Sequence, residues 1–192
     1  MRWLAVALVL VPAFLLSLLG VSAIATVGDA GRGLANWKQQ AFFLPLGLIG
    51  ATIAACVPLH LLRKHAALLG FLVAGLLVLL LLPGVPESLV RPRNGARRWI
   101  SLVVFDLQPS ELARVAWCLL MARLLYAGEA HRRLSGLLRP VGLTALAGGL
   151  IVVEPDLGTT LLFVPAFVTI LIAAGGRIRH LLLCFLLSLI HI

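Results

Sequence analysis

The chain is 192 residues long, 61% hydrophobic and only 12% charged, with a mean hydropathy of +1.10, which excludes an ordinary soluble domain. Its formal net charge of +9 does not point to nucleic acid, because in a chain this apolar basic loops orient helices and meet anionic lipid headgroups. The expected fold class is all-α, a polytopic transmembrane helix bundle.

A spanning helix needs roughly 20 apolar residues to cross about 30 Å of hydrocarbon, and the stretches between charges supply six or seven candidates. The first covers residues 3–26 with only Arg2 ahead of it. Val21-Ser22-Ala23 matches a signal-peptidase site, but the apolar length exceeds the about 7 to 15 residues of a signal core, so an uncleaved first helix is expected. Residues 39–62, 66–82 and 109–127 follow, then 141–153, 157–174 and 181 onward. The fifth of these seven is short, and slack beside Arg139-Pro140 and Glu154-Pro155 brings it to membrane length. Cys56, Cys118 and Cys184 sit in apolar segments without CxxC spacing and read as packing residues. His60, His65, His131 and His180 flank basic loops and read as interfacial.

The arginine and lysine count sets the orientation. With the N-terminus inside, the cytoplasmic set is Arg2, Arg63, Lys64, Arg123, Arg132, Arg133, Arg139, Arg177 and Arg179, and the opposite set is Arg32, Lys38, Arg91, Arg93, Arg97 and Arg98. The excess favours a cytoplasmic N-terminus. Four of the external charges are nevertheless crowded into residues 83–108. Charges held against the topological preference usually have something to bind.

That loop, Arg91-Pro92-Arg93-Asn94-Gly95-Ala96-Arg97-Arg98-Trp99, combines a turn signal at Asn94-Gly95 with guanidinium forks that match phosphate oxygens and an indole suited to the interface. A bound anionic headgroup and simple solvation are both compatible with it. Gln108-Pro109-Ser110-Glu111 then opens a helix, with proline at its first position and an acid near the positive end of the dipole. Arg114 lies three residues on, on the same face. Inside a membrane such a pair either lines a watery or protein-walled cavity or is purely structural. Farther on, Glu154-Pro155-Asp156-Leu157-Gly158-Thr159 makes a tight external turn in which Asp156 suits a helix N-cap. Two carboxylates there can alternatively hold a cation or an arginine. The paired glycines Gly148-Gly149 and Gly175-Gly176 suit close helix packing and a loop turn.

Taken together, these residues resemble the SEDS family of shape, elongation, division and sporulation proteins, which includes the FtsW, RodA and SpoVE types. The likeness rests on residues 94–100 (NGARRWI), 108–114 (QPSELAR) and 155–159 (PDLGT) in order and spacing, with Lys38-Gln39-Gln40 and Gly175-Gly176 in support. Departures are Arg114 where the family usually has lysine, Glu154 where it usually has glutamine, Leu102-Val103 where a glycine is usual, and Asp106. The last six residues, Leu187 to Ile192, read as the translation of CTG TCT CTT ATA CAC ATC, which resembles a transposon end used in sequencing libraries. The expected organisation is thus residues 1–186 as the N-terminal part of a single transmembrane domain of about ten spans, followed by a non-native tail at 187–192.

The resemblance implies a peptidoglycan glycosyltransferase that polymerises lipid II, the undecaprenyl-pyrophosphate-linked disaccharide pentapeptide, in the bacterial inner membrane beside a class B penicillin-binding protein transpeptidase and membrane lipids. It implies Arg97, Arg98, Trp99, Gln108, Ser110, Glu111, Arg114 and Asp156 as substrate-binding or cavity residues. The aspartate usually taken as the base lies in a large external loop after the seventh span, which this sequence lacks, so no catalytic residue is assigned and the fragment is expected to be inactive. No identifiable residue binds a cofactor or metal, and a divalent cation stays open. The alternatives are a lipid II transporter and a non-catalytic scaffold that binds a transpeptidase.

Overall fold

Long apolar runs satisfy their backbone internally as helices, the one open-chain solution available in lipid. The computed structural model describes residues 2–27, 33–93, 95–102, 105–126 and 135–176. Among them the helices are α1 (Arg2–Val27), α2 (Gly33–Cys56), α3 (Leu59–Leu81), α4 (Pro109–Tyr126), α5 (Leu138–Val153) and α6 (Leu157–Ala173). Between α3 and α4 lie three short strands, β1 (Val90–Arg93), β2 (Ala96–Ser101) and β3 (Asp106–Leu107). Lys38–Cys56, Leu59–Leu81 and Ser135–Val153 are long and apolar enough to cross a membrane, while Val11–Thr26 and Leu157–Ala173 are shorter apolar helices. The expected span from residue 181 onward lies outside the described residues, as do the tail, His131, His180 and Cys184.

Two units divide the chain, Met1–Pro58 and Leu59–Ile192. In the first, α1 packs on α2. Large apolar side chains along both, such as Leu16 and Phe42, stay exposed, as suits helices whose outer partner is hydrocarbon. Pro12 and Pro45 sit inside them, a placement membrane helices tolerate.

In the second unit α3 begins immediately after Pro58, and this corrects the expected boundary. The sequence reading placed residues 39–62 in one span and 66–82 in the next, with a basic loop between. Instead α2 stops at Cys56, the break is confined to Val57-Pro58, and His60, Arg63, Lys64 and His65 occupy the first two turns of α3. The physical reason is local. Proline disfavours helix at the residue before it and cannot donate its own amide, so the chain turns at 57–58 and the helix restarts at once. The short fifth span gains its length as expected, since a 3-10 turn at Ser135–Leu137 leads directly into α5.

The core of this unit is shared by Val73 and Leu77 of α3, Ala116, Trp117 and Met121 of α4, Ile151 of α5, and Phe163 and Leu171 of α6. Trp117 meets Phe163 edge to face at 5.0 Å between ring centroids. Its indole N–H donates to Thr144 Oγ1 at 3.1 Å, and that hydroxyl donates to Pro140 O at 2.8 Å, so the buried ring keeps its hydrogen bond. Gly175, at φ +81, closes α6: the amide of Gly176 returns to Leu171 O at 2.8 Å, capping carbonyls the helix leaves open.

A β-hairpin was not anticipated beyond the turn signal at Asn94-Gly95. β1 pairs antiparallel with β2, Val90 opposite Ile100 and Arg91 opposite Trp99, and β2 pairs with β3 through Ile100 opposite Leu107. Gly95 takes φ +76, the left-handed geometry that tight hairpin turns demand. Val90 and Ile100 bury against Leu80, with Leu76, Leu79, Val85 and Leu107 around them. This small apolar cluster fixes the sheet on the end of α3.

Candidate functional site

The three motif segments meet at the end of the second unit that carries the hairpin. Arg97 and Arg98 are neighbours on β2, and successive strand residues leave opposite faces. Arg97 therefore reaches the end of α3, donating through Nη1 to Leu82 O at 3.2 Å and through Nη2 to Val85 O at 2.9 Å. Arg98 reaches the turn between α5 and α6, where Nε donates to Glu154 O at 3.0 Å and Nη2 to Pro155 O. Each guanidinium thus takes main-chain carbonyls at or just beyond a helix end, groups that a basic side chain is suited to take. Each has five N–H donors. Two are committed in each case, and the charge remains.

Asp156 is the second junction. It is the N-cap of α6, and its carboxylate accepts from Thr159 N at 3.2 Å and Thr159 Oγ1 at 2.8 Å. The same carboxylate accepts from Gln108 Nε2 at 3.2 Å. So a single buried side chain caps one helix and holds the residue that precedes another. Thr159 was not singled out from sequence as an Asp156 partner, although an aspartate three residues before a threonine at a helix start is a readable capping signal.

Glu154 is the unexpected member. It is the C-cap of α5, its amide donating to Ile151 O at 3.1 Å, and it is only 2% exposed. Among the described residues neither carboxylate oxygen has a hydrogen-bond partner. Burial first, then the neighbouring Asp156 carboxylate, push this group up from 4.5 to about 7, partly offset by the Arg98 guanidinium. It lies in the turn between α5 and α6. The sequence signals were a carboxylate in a glutamine position and a pair of carboxylates suited to hold a cation or an arginine.

Ser110, in the first turn of α4, is fully buried and its hydroxyl also lacks a partner among the described residues. Trp99 is half-buried on β2. Glu111 and Arg114 pair with each other, with side chains 52% and 34% exposed, and neither lines the apolar cavity of about 280 Å³ between α3, α4 and α5. A pair this exposed contributes about 0–1 kcal/mol. Glu111→Gln is therefore expected to shift the unfolding free energy by less than about 1 kcal/mol, measured by denaturant titration in detergent. The side chains of Arg91 and Arg93, and Asn94 altogether, lie outside the described residues. Among the described residues no three His, Cys, Asp or Glu side chains cluster in a way that would hold a metal ion.

The arrangement is a cationic hairpin pinned by main-chain contacts to the ends of α3 and α5, beside a buried carboxyl whose pKa is pushed up by burial and by Asp156. The chain as a whole is similar to known proteins. The profile of the family described as "Cell cycle protein" (FtsW, RodA, SpoVE) matches residues 1–192. A probable peptidoglycan glycosyltransferase FtsW of Nitrosococcus halophilus is 36% identical over 148 residues, covering 77% of this chain and 37% of that protein. The stage V sporulation protein E of Bacillus subtilis is 31% identical, covering 79% and 41%. Among solved structures, a chain of a peptidoglycan synthase complex superposes with a TM-score of 0.72 at 29% identity, covering 91% of this chain and 52% of that one. The rod shape determining protein RodA of Thermus thermophilus superposes at 0.66 and 29%, covering 91% and 58%. The chain spans about two fifths of the curated relatives it matches. It is a polytopic membrane protein and belongs to the FtsW, RodA and SpoVE family, the SEDS proteins.

Proposed function

We propose that this chain forms the N-terminal, substrate-holding part of a peptidoglycan glycosyltransferase that polymerises lipid II in the bacterial inner membrane, with its N-terminus cytoplasmic and a class B transpeptidase as partner. The observation that supports this reading is the junction itself: Arg98 tied to the 154–155 turn and Gln108 tied to Asp156, which gathers the three motif segments at one end of a membrane bundle.

In the proposed reaction the acceptor sugar hydroxyl attacks the anomeric carbon of the donor from the face opposite the leaving group. A new glycosidic C–O bond forms, the bond from that carbon to the pyrophosphate oxygen breaks, and undecaprenyl pyrophosphate leaves with the electron pair. The hydroxyl proton passes to a general base. The contribution of these residues is electrostatic. Guanidiniums already oriented by main-chain contacts offer their remaining N–H donors to the pyrophosphate, whose charge grows as it departs, without reorganising at that moment.

The first test uses the chain as it stands. Reconstituted in nanodiscs, it is expected to bind fluorescent lipid II saturably, with Arg98→Gln weakening binding by about tenfold. No saturable binding by the wild-type chain contradicts the reading.

A further inference from the structure

We propose that the opposite end of α3 carries a separate binding site for the phosphate headgroup of an anionic phospholipid. A cavity of about 400 Å³ opens there, lined by His60, Leu62 and Arg63 of α3 and by Leu119, Arg123 and Tyr126 of α4, among others. That volume falls in the range of small-ligand sites. It is distinct from the hairpin junction, since Arg97 binds Leu82 O just past the last residue of α3 and the 23 residues of that helix separate the two by about 34 Å.

Two observations indicate what the cavity takes. Every charged side chain that lines it is basic, and both guanidiniums are held in place by neighbours. The Arg63 guanidinium carbon lies 4.5 Å from the centroid of the Tyr126 ring, and Arg123 Nη1 donates to Lys64 O at 3.4 Å. Stacking occupies the flat face of a guanidinium and leaves its edge donors free, the donors that match phosphate oxygens as a fork. The Arg123 contact draws its fork toward α3, so the two cations converge from two helices. Both residues are exposed, so charge is offered rather than buried.

The rest of the lining decides between a free anion and a lipid. Leu59, Leu62, Leu119 and Ala122 make most of the wall apolar, which suits the glycerol and upper acyl carbons below a headgroup and offers nothing to a hydrated ion. Arginine and tyrosine at the end of a spanning helix also belong at headgroup depth. A zwitterionic headgroup would bring its own cation against Arg63 and Arg123. A net-negative one does not, and Lys64 in the same turns of α3 raises the local potential further.

The test measures lipids retained by the 192-residue chain after purification from mixed phosphatidylglycerol and phosphatidylcholine vesicles, by native mass spectrometry. Wild type is expected to keep phosphatidylglycerol in about tenfold preference, and Arg63→Gln with Arg123→Gln to bring the two lipids within about twofold. Arg139→Gln removes a basic residue from the first turn of α5 that does not line the cavity, and is expected to leave the preference intact. If the double glutamine variant loses helicity, the double lysine variant replaces it; it keeps the charge, loses the fork, and is expected to show an intermediate preference. The proposal is overturned by equal retention of both lipids in wild type, by an equal loss in Arg139→Gln, by an unchanged preference in the double lysine variant, or by inorganic phosphate stabilising the lipid-free protein as strongly as phosphatidylglycerol does.

Discussion

Glu154→Gln is expected to raise the unfolding temperature of this protein at about pH 8 and to change it little at about pH 4. The sign follows from the direction of the shift. The buried carboxyl is pushed up from 4.5 to about 7 in the folded protein. Below 4.5 it is protonated in both folded and unfolded states and contributes no pH dependence. Between 4.5 and 7 the unfolded chain ionises while the folded one resists, so stability falls as pH rises, and above about 7 the full penalty is in place. A gap of this size corresponds to a penalty on the order of 3 kcal/mol at alkaline pH. Glutamine does not titrate and leaves only a constant cost for its own buried amide. The diagnostic quantity is therefore the difference between variant and wild type as a function of pH, which should grow from about pH 4.5 to about pH 7 and then level off. A difference that is flat across that window would mean the carboxyl is solvated or paired.

The second large effect is expected at Arg98. Arg98→Ala removes two charge-assisted bonds, to Glu154 O and Pro155 O, and frees carbonyls at a turn whose neighbours Glu154 and Asp156 are buried. Bonds to charged groups are worth about 1.5–3 kcal/mol each. With the side chain only half-buried, the expected loss is about 2–4 kcal/mol. Arg98→Lys should recover less than half of it, because one ammonium cannot span two carbonyls as the fork does. The variant should also steepen the pH dependence assigned to Glu154, since Arg98 is the group that offsets the upward shift. Denaturant titrations at two pH values read both effects, and an alanine variant as stable as wild type would show the clamp to be incidental.

How much of this was legible beforehand depended on the range of the interaction. Helix content followed from composition, because a chain this apolar has few other ways to satisfy its backbone. The Pro109 start of α4 and the Asp156 cap of α6 were readable because proline and aspartate act on residues within one turn of themselves. The restart of α3 at Leu59 was misplaced because charge was taken as the loop marker, whereas Pro58 alone terminates the helix and the arginine and lysine that follow remain helical. The hairpin was half legible. Asn94-Gly95 announced a turn, but Val90 and Ile100 become strand residues only by packing on Leu80, a contact that no local pattern encodes.

The arginines illustrate the same limit. Sequence left Arg97 and Arg98 open between an anionic headgroup and simple solvation, and the family resemblance implied substrate binding. Their first partners here are carbonyls at Leu82, Val85, Glu154 and Pro155, the last two 56 and 57 residues away from Arg98 in sequence. Glu154 was visible as an odd residue and as one of two carboxylates in a tight turn. Its burial and its neighbours, which set its charge, come from tertiary packing.

The most direct measurement is lipid II polymerisation by the purified protein translated from the uninterrupted genomic reading frame, with the locus read past codon 186 by a method free of transposon adapters. The predicted result is a product of long glycan strands, reduced by about tenfold or more in Arg98→Ala assayed at equal folded protein. A full-length protein that leaves lipid II unpolymerised would contradict it.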